Sequence, residues 1–163
     1  MIELLDKKHH REDFDCGKEL LNNYLKKQAR QDIKRKLSAC FVLSKNETII
    51  QGYYTLSNNS IPLACFPEHI QKKLPKSYTS IPTTLLGRLA IDKKYQGQGI
   101  GKILLIDALK RSYEISQEIA SFAVVVDPID EEAEKFYNKY DFIKLPDSKK
   151  MFISIQTLQE LFG

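Results

Sequence analysis

Six residues near the middle of the chain, Gln96-Gly97-Gln98-Gly99-Ile100-Gly101, have the types and spacing to hold an anion on main-chain amides. They follow an apolar run (Leu85, Leu86, Leu89, Ile91) that reaches Asp92, and they open a helical pattern with apolar residues at 104, 105, 108 and 109. Amides in the first turn of a helix have no intrahelical partner, and with the helix dipole they attract phosphate. Glycines let the backbone come close to such a ligand, and three of them would weaken a helix start that had no use for them. Two nucleotide motifs are excluded. A P-loop needs four residues between its glycines and Ser or Thr after the Lys, whereas three separate Gly97 from Gly101 and Ile103 follows Lys102; a dinucleotide fingerprint needs a third Gly where Lys102 stands. A glycine-rich helix cap without a ligand is the competing reading.

Other chemistries find little support. His9, His10 and His69 lack ligand spacing and read as exposed or incidental, so no metal is expected, and no Ser-His-Asp order is visible. Cys16, Cys40 and Cys65 stand singly, which argues against a disulfide framework and for a reducing cytoplasm. The segment MIELLDKKHH lacks the long apolar run of a signal peptide, and no stretch approaches about 18 apolar residues, so neither a signal peptide nor membrane association is expected. At 163 residues, 1–163 reads as a single domain. The net charge of +4 is uneven: residues 1–80 carry +5 and the remainder −1, which is compatible with a polyanionic partner for the first half.

The elements that must position these residues follow from periodicity. Met1 to Leu5 reads as a strand. From Lys18, residues Leu20, Leu21, Tyr24, Leu25, Gln28, Ala29 and Ile33 recur at helical spacing, and Lys26, Lys27, Arg30 and Lys34 lie opposite. That basic face is either solvated or a phosphate-contact surface. Leu37–Ser44 and Thr48–Ser57 predict a hairpin with a bulge at Gly52. Residues 58–82, with four prolines and a short helical stretch near 68–74, read as a flap. Ile119–Val126 is a continuous apolar run of the buried-strand kind. Asp130 can cap the next helix, in which Ala133, Phe136, Tyr137 and Tyr140 share a face, and two strands and a helical turn close the chain. The class is mixed α/β.

Gln96-x-x-Gly99-x-Gly101 after a strand ending in Asp92 resembles the pyrophosphate loop of the GNAT N-acetyltransferases, and the element order matches that fold along essentially the whole chain. The resemblance implies a GNAT fold, a mixed central sheet with splayed central strands and flanking helices. It further implies acetyl-coenzyme A as cosubstrate, with main-chain groups of Leu89, Ala90 and Ile91 beside the pantetheine and amides from Gln96, Gly97, Gln98, Gly99, Ile100, Gly101 and Lys102 around the pyrophosphate. AEKFYNKYDF resembles the family's second motif, A-x-x-FY-x-x-x-GF, which places Tyr137 as the general acid for the departing thiolate; Asp141 stands where the family has Gly. A phenol with a pKa near ~10 is protonated at neutral pH, as a proton donor must be. The alternative for Tyr137 is a core aromatic.

The acceptor must be a neutral amine. A lysine amine near ~10.4 is neutral in about 0.04% of molecules at pH 7, an α-amine near ~7.7 to 8.0 in about 10 to 20%, and no carboxylate is obviously placed as a base, which favours an α-amine. FDCGKELLNNYLKKQARQD, LLGRLAIDKKYQGQGIGKILLIDALKR and VDPIDEEAEKFYNKYDFIKLP are similar to GNAT toxins of type II toxin-antitoxin pairs, which acetylate the α-amine of aminoacyl-tRNA and block translation. That resemblance implies a tRNA acceptor end bound by Arg88 with Lys27, Arg30 and Lys34, and a ribbon-helix-helix antitoxin as partner; a homodimer is left open. Acetylation of protein amines or polyamines, and a non-catalytic acyl-coenzyme A module, are the alternatives.

Overall fold

In the computed structural model, which describes residues 1–163, the β-rich runs become seven strands and the 3.6-residue patterns become helices. In chain order these are β1 (Ile2–Leu4), α1 (Glu19–Asn23), a π-helical turn (Tyr24–Gln28), α2 (Ala29–Lys34), β2 (Ala39–Lys45) and β3 (Ile49–Pro62). Then come α3 (Glu68–Gln71), β4 (Ser80–Ile91), α4 (Ile100–Ser116), β5 (Ala123–Val126), α5 (Glu131–Lys139), β6 (Ile143–Lys144), β7 (Met151–Ser154) and α6 (Ile155–Phe162). No helix is long and apolar enough to cross a membrane. The chain forms two compact units, Met1–Ser57 with Leu86–Ala108 and Asn58–Leu85 with Leu109–Gly163.

In the first unit the strand order is β1-β2-β3-β4, with β1/β2 and β2/β3 antiparallel. The hairpin turns on Asn46 and Glu47, both left-handed (φ 52° and 65°), the conformation that matches the twist of a tight hairpin. Leu43 pairs with Gly52 and Ser44 with Ile50, so Gln51 is an extra residue and the expected bulge is present. A Cβ on Gly52 would lie 2.7 Å from Leu104 Cδ1 and 2.9 Å from the Ala90 carbonyl oxygen, so glycine here lets α4 close onto the sheet. Phe14, Tyr24, Leu25, Ala29, Cys40, Val42, Tyr53 and Ala90 share a core. Leu20 and Gln28, expected on the buried face, are exposed. Leu21 takes the core position beside Leu20, and the wider π turn shifts the phase so that Ala29 rather than Gln28 faces inward.

In the second unit the order is β3-β4-β5-β7-β6, with Ala123 opposite Ser154 and Ile143 opposite Phe152. Ile61, Phe66, Ile81, Val125 and Phe152 form its core, with the Phe66 ring edge-on to Phe122 and Phe152 at 5.6 and 5.4 Å. The flap expected over 58–82 is mostly sheet: β3 runs through to Pro62 and β4 already includes Pro82, whose carbonyl accepts the Phe122 N–H at 2.8 Å. Those prolines sit where no ladder N–H is required of them. The strand expected over Ile119–Val126 is confined to Ala123–Val126, because α4 runs to Ser116 and Ile119 lies in the connection, 71% exposed.

Candidate functional site

Asp92 sets the geometry of the glycine loop. Its carboxylate is buried, with Oδ1 accepting the Lys94 N–H at 2.9 Å and Oδ2 the Asp15 N–H at 3.1 Å, while its own N–H donates to the Gln51 carbonyl at 2.9 Å. After the short turn Lys93–Tyr95, the Gln96 side chain turns back and donates to the carbonyls of Ile91 (2.9 Å) and Cys16 (3.2 Å), and Gln98 donates to Lys94 O at 3.3 Å. These glutamines brace the loop; what they leave open is main chain.

Gly97 and Gly99 are left-handed (φ 78° and 79°) and exposed, with nothing within 4 Å of an added Cβ, so glycine is needed there for conformation and not for space. Ile100 is buried and starts the 17-residue α4, whose ladder begins with Ile103 N–H to Gly99 O at 3.2 Å. The amides ahead of that bond, with exposed Lys102 beside them, form a cationic, unobstructed helix N-terminus of the kind a diphosphate fits. Leu89 and Ile91 are half-buried, and Ala90 is buried with its side chain in the core.

A second brace was not legible in the sequence. The Asp15 carbonyl accepts the Lys93 N–H at 2.8 Å, and its Oδ1 accepts the Gly17 N–H and the Asn22 side-chain amide, both at 2.9 Å; Lys93 Nζ lies 3.5 Å from Oδ2. The Asn22 and Gly17 hydrogen bonds, then Lys93, hold the Asp15 carboxyl below its usual range. The D-x-G pattern of Asp15 and Gly17 was the available signal, but its partner lies 77 residues away.

Tyr137 belongs to the second unit. α5 begins as expected at Asp130, whose Oδ1 accepts the Ala133 N–H at 2.8 Å, and Glu131, Glu132 and Glu134 stand in its first turn. It ends with Asp141 left-handed at φ 68°, Asp141 N–H to Asn138 O and Phe142 N–H to Tyr137 O, both at 3.3 Å. This is a Schellman closure, made here without the glycine that usually occupies that position. It places the Phe142 ring 5.2 Å from that of Tyr137, with Phe136 at 5.3 Å on its other neighbour contact. Tyr137 is buried, and burial raises its phenol well above the usual value, so it is protonated at any physiological pH.

The basic residues separate. Lys27 and Lys34 are exposed and Arg30 half-buried; Arg30 and Lys34 line a cavity of about 400 Å³ with Leu5, Asp6, Gln31 and Ile33, and Lys27 stands apart from it. Arg88 is half-buried, its guanidinium 3.5 Å from the Tyr24 ring centroid. His10 and His69 are exposed as expected, but His9 is buried: Nδ1 accepts the Asp6 N–H at 2.9 Å, and Nε2 lies 3.2 Å from Glu3 Oε1 without forming a hydrogen bond.

Comparison with known proteins adds identity to this geometry. Residues 5–157 match the acetyltransferase (GNAT) domain model. The chain is 32% identical over 151 residues to the tRNA-acetylating toxin of Mycobacterium tuberculosis, covering 92% of this chain and 89% of that protein. AtaT complexed with acetyl-methionyl-tRNAfMet superposes with a TM-score of 0.92 at 32% identity, over 100% of this chain and 99% of that one. A Tyr→Phe mutant of the AtaT toxin, bound to acetyl-CoA and the C-terminus of the antitoxin AtaR, does so at 0.83 and 28%, over 100% and 98%. A chain that matches the family model over residues 5–157, nearly its whole length, belongs to the GNAT acetyltransferases.

Proposed function

We propose that this GNAT acetyltransferase acetylates the α-amine of aminoacyl-tRNA with acetyl-coenzyme A and so arrests translation in the cytoplasm, the whole chain 1–163 acting as one enzyme domain. The observation that carries the reading is the pair of left-handed, exposed glycines opening a 17-residue helix, which leaves main-chain amides for a coenzyme diphosphate. Its substrate class follows from the similarity to proteins named or solved as acting on tRNA.

In this reading the backbone of Leu89, Ala90 and Ile91 binds the pantetheine arm, and amides from Gln96 to Lys102 bind the diphosphate. The Gln96 and Gln98 side chains brace the loop rather than touch the ligand. A neutral amine attacks the thioester carbonyl, the C–N bond forms as the C–S bond breaks, and Tyr137 gives its proton to the departing sulfur; the acylated nitrogen loses one proton to solvent, and the phenolate regains one from it. Arg88, Arg30, Lys34 and Lys27 bind the acceptor end of the tRNA through its phosphates. A ribbon-helix-helix antitoxin neutralises the enzyme, a partner suggested by the antitoxin seen with AtaT.

Incubation with labelled acetyl-coenzyme A and a mixture of charged tRNAs tests the assignment. Label is expected on the aminoacyl end of the tRNA; label confined to protein or free polyamine would overturn the substrate, and coenzyme binding without any transfer would overturn the enzyme.

A further inference from the structure

The helical segment nearest Arg88 contains an arrangement that coenzyme binding does not explain. The guanidinium of Arg88 lies over the Tyr24 ring at 3.5 Å from its centroid, with Nη1 3.5 Å from the buried Thr55 hydroxyl. The Tyr24 phenol donates to the buried Asp32 carboxylate at 2.8 Å, and Gln28 donates to the same oxygen at 3.3 Å. The ring is also stacked on Tyr53, 6.4 Å away at 18°, and the Tyr53 hydroxyl is fixed on the Leu21 carbonyl at 2.7 Å. Tyr24 and Gln28 are the first and last residues of the π turn, whose carbonyls at Leu25 and Lys26 accept Arg11 Nη1 at 3.5 and 3.2 Å.

A π turn is a costly local geometry that recurs at functional positions, and a buried carboxylate holding a phenol costs more than the phenylalanine that would fill the same core space. Both are accounted for if the ring must be held still. We propose that Tyr24, anchored by Asp32 and Gln28 through the π turn, is a positioning residue that fixes the plane of Arg88 for the phosphates of the tRNA acceptor end. A guanidinium stacked by its face can still donate from its edge, here from the N–H groups other than the one directed at Thr55, and it gives up less motion on binding a phosphate than an unstacked one. Burial, and then the bond to Asp32, push the Tyr24 phenol to about 12, so it stays a neutral donor.

This rests on Arg88 being a tRNA contact, and a double-mutant cycle separates the two ideas. Tyr24→Leu should raise KM for charged tRNA about tenfold with kcat and acetyl-coenzyme A affinity nearly unchanged, and add nothing in an Arg88→Ala background. Tyr24→Phe, which keeps the ring and the core, should raise KM about threefold and likewise add nothing without Arg88. A purely structural Tyr24 would instead give losses that multiply with those of Arg88→Ala, and that result overturns the positioning role. An Arg88→Ala enzyme with wild-type KM would overturn the Arg88 contact itself and the positioning role with it.

Discussion

At the start of α4 the groups offered to a ligand are main-chain amides, and the neighbouring side chains of Gln96, Gln98 and Asp92 are turned into the frame to hold them. At the end of α5 the group the proposed mechanism uses is one phenol, and the main chain around it, from Tyr137 O to Phe142 N–H, seats that ring. The first region therefore depends on backbone conformation and tolerates changes of side chain; the second depends on a single oxygen and tolerates changes that keep the ring. Substitutions should divide accordingly between coenzyme affinity and turnover.

Tyr137→Phe is the sharpest break. Phenylalanine fits the same surroundings of Phe136 and Phe142, so coenzyme affinity and melting temperature should hold while kcat falls about 100-fold, the range of a lost general acid. Unchanged turnover would return Tyr137 to the core. The pH profile tests the same point with a sign that burial fixes. Because the phenol is raised above its usual value, it does not ionise in the working range, and kcat/KM should climb through the pKa of the substrate amine, near ~7.7 to 8.0 or lower, then level off. An amide-linked aminoacyl analogue, stable to alkali, allows the measurement; a fall before pH ~10 would mean a more acidic group donates the proton.

Gly99→Ala should show the opposite split. Nothing crowds its Cβ, so the cost is the left-handed backbone alone, about 1–2 kcal/mol for an L-residue, which the loop can shed only by moving its amides. Calorimetry should find acetyl-coenzyme A bound about tenfold more weakly, with kcat at saturating coenzyme little changed. Gln98→Ala, which removes only the brace to Lys94 O, should cost less than about threefold. A larger loss for Gln98 than for Gly99 would mean that side chains, not amides, hold the coenzyme.

The two regions were unequally legible. The glycine loop spans six adjacent residues and its conformation follows from helix-terminus physics, which is local, so spacing could anticipate a glycine-opened helix start there. The braces that hold it are not local: Asp15 meets Asp92 across 77 residues, and no periodicity reports that pairing. Pro62 and Pro82 suggested a flap because proline usually ends a strand, yet both occupy strand positions that need no N–H. Ile119 looked buried because it continues an apolar run, and the length of α4 put it in a connection instead. The phase shift at Tyr24–Gln28 follows from a π turn, for which sequence offers no pattern.

The smallest effect is expected at Asp141, where the two regions can be compared directly. Both use left-handed residues to set a helix end, but the α4 loop uses Gly97 and Gly99 whereas α5 closes on Asp141 at φ 68°. Aspartate tolerates that conformation better than most side chains, so relieving it by Asp141→Gly gains little, and part of the gain is offset by the freer unfolded chain. The net should be about 0.5 kcal/mol of added stability, or roughly 1–2 °C in Tm, with kcat unchanged because the Phe142 N–H to Tyr137 O closure is preserved. Asp141→Ala, which lacks both the glycine freedom and the polar side chain that suits αL, should instead lower stability by about 1 kcal/mol. Turnover that fell in Asp141→Gly at unchanged stability would give the Asp141 carboxylate a part in the chemistry, and the second region would then depend on two side chains rather than one.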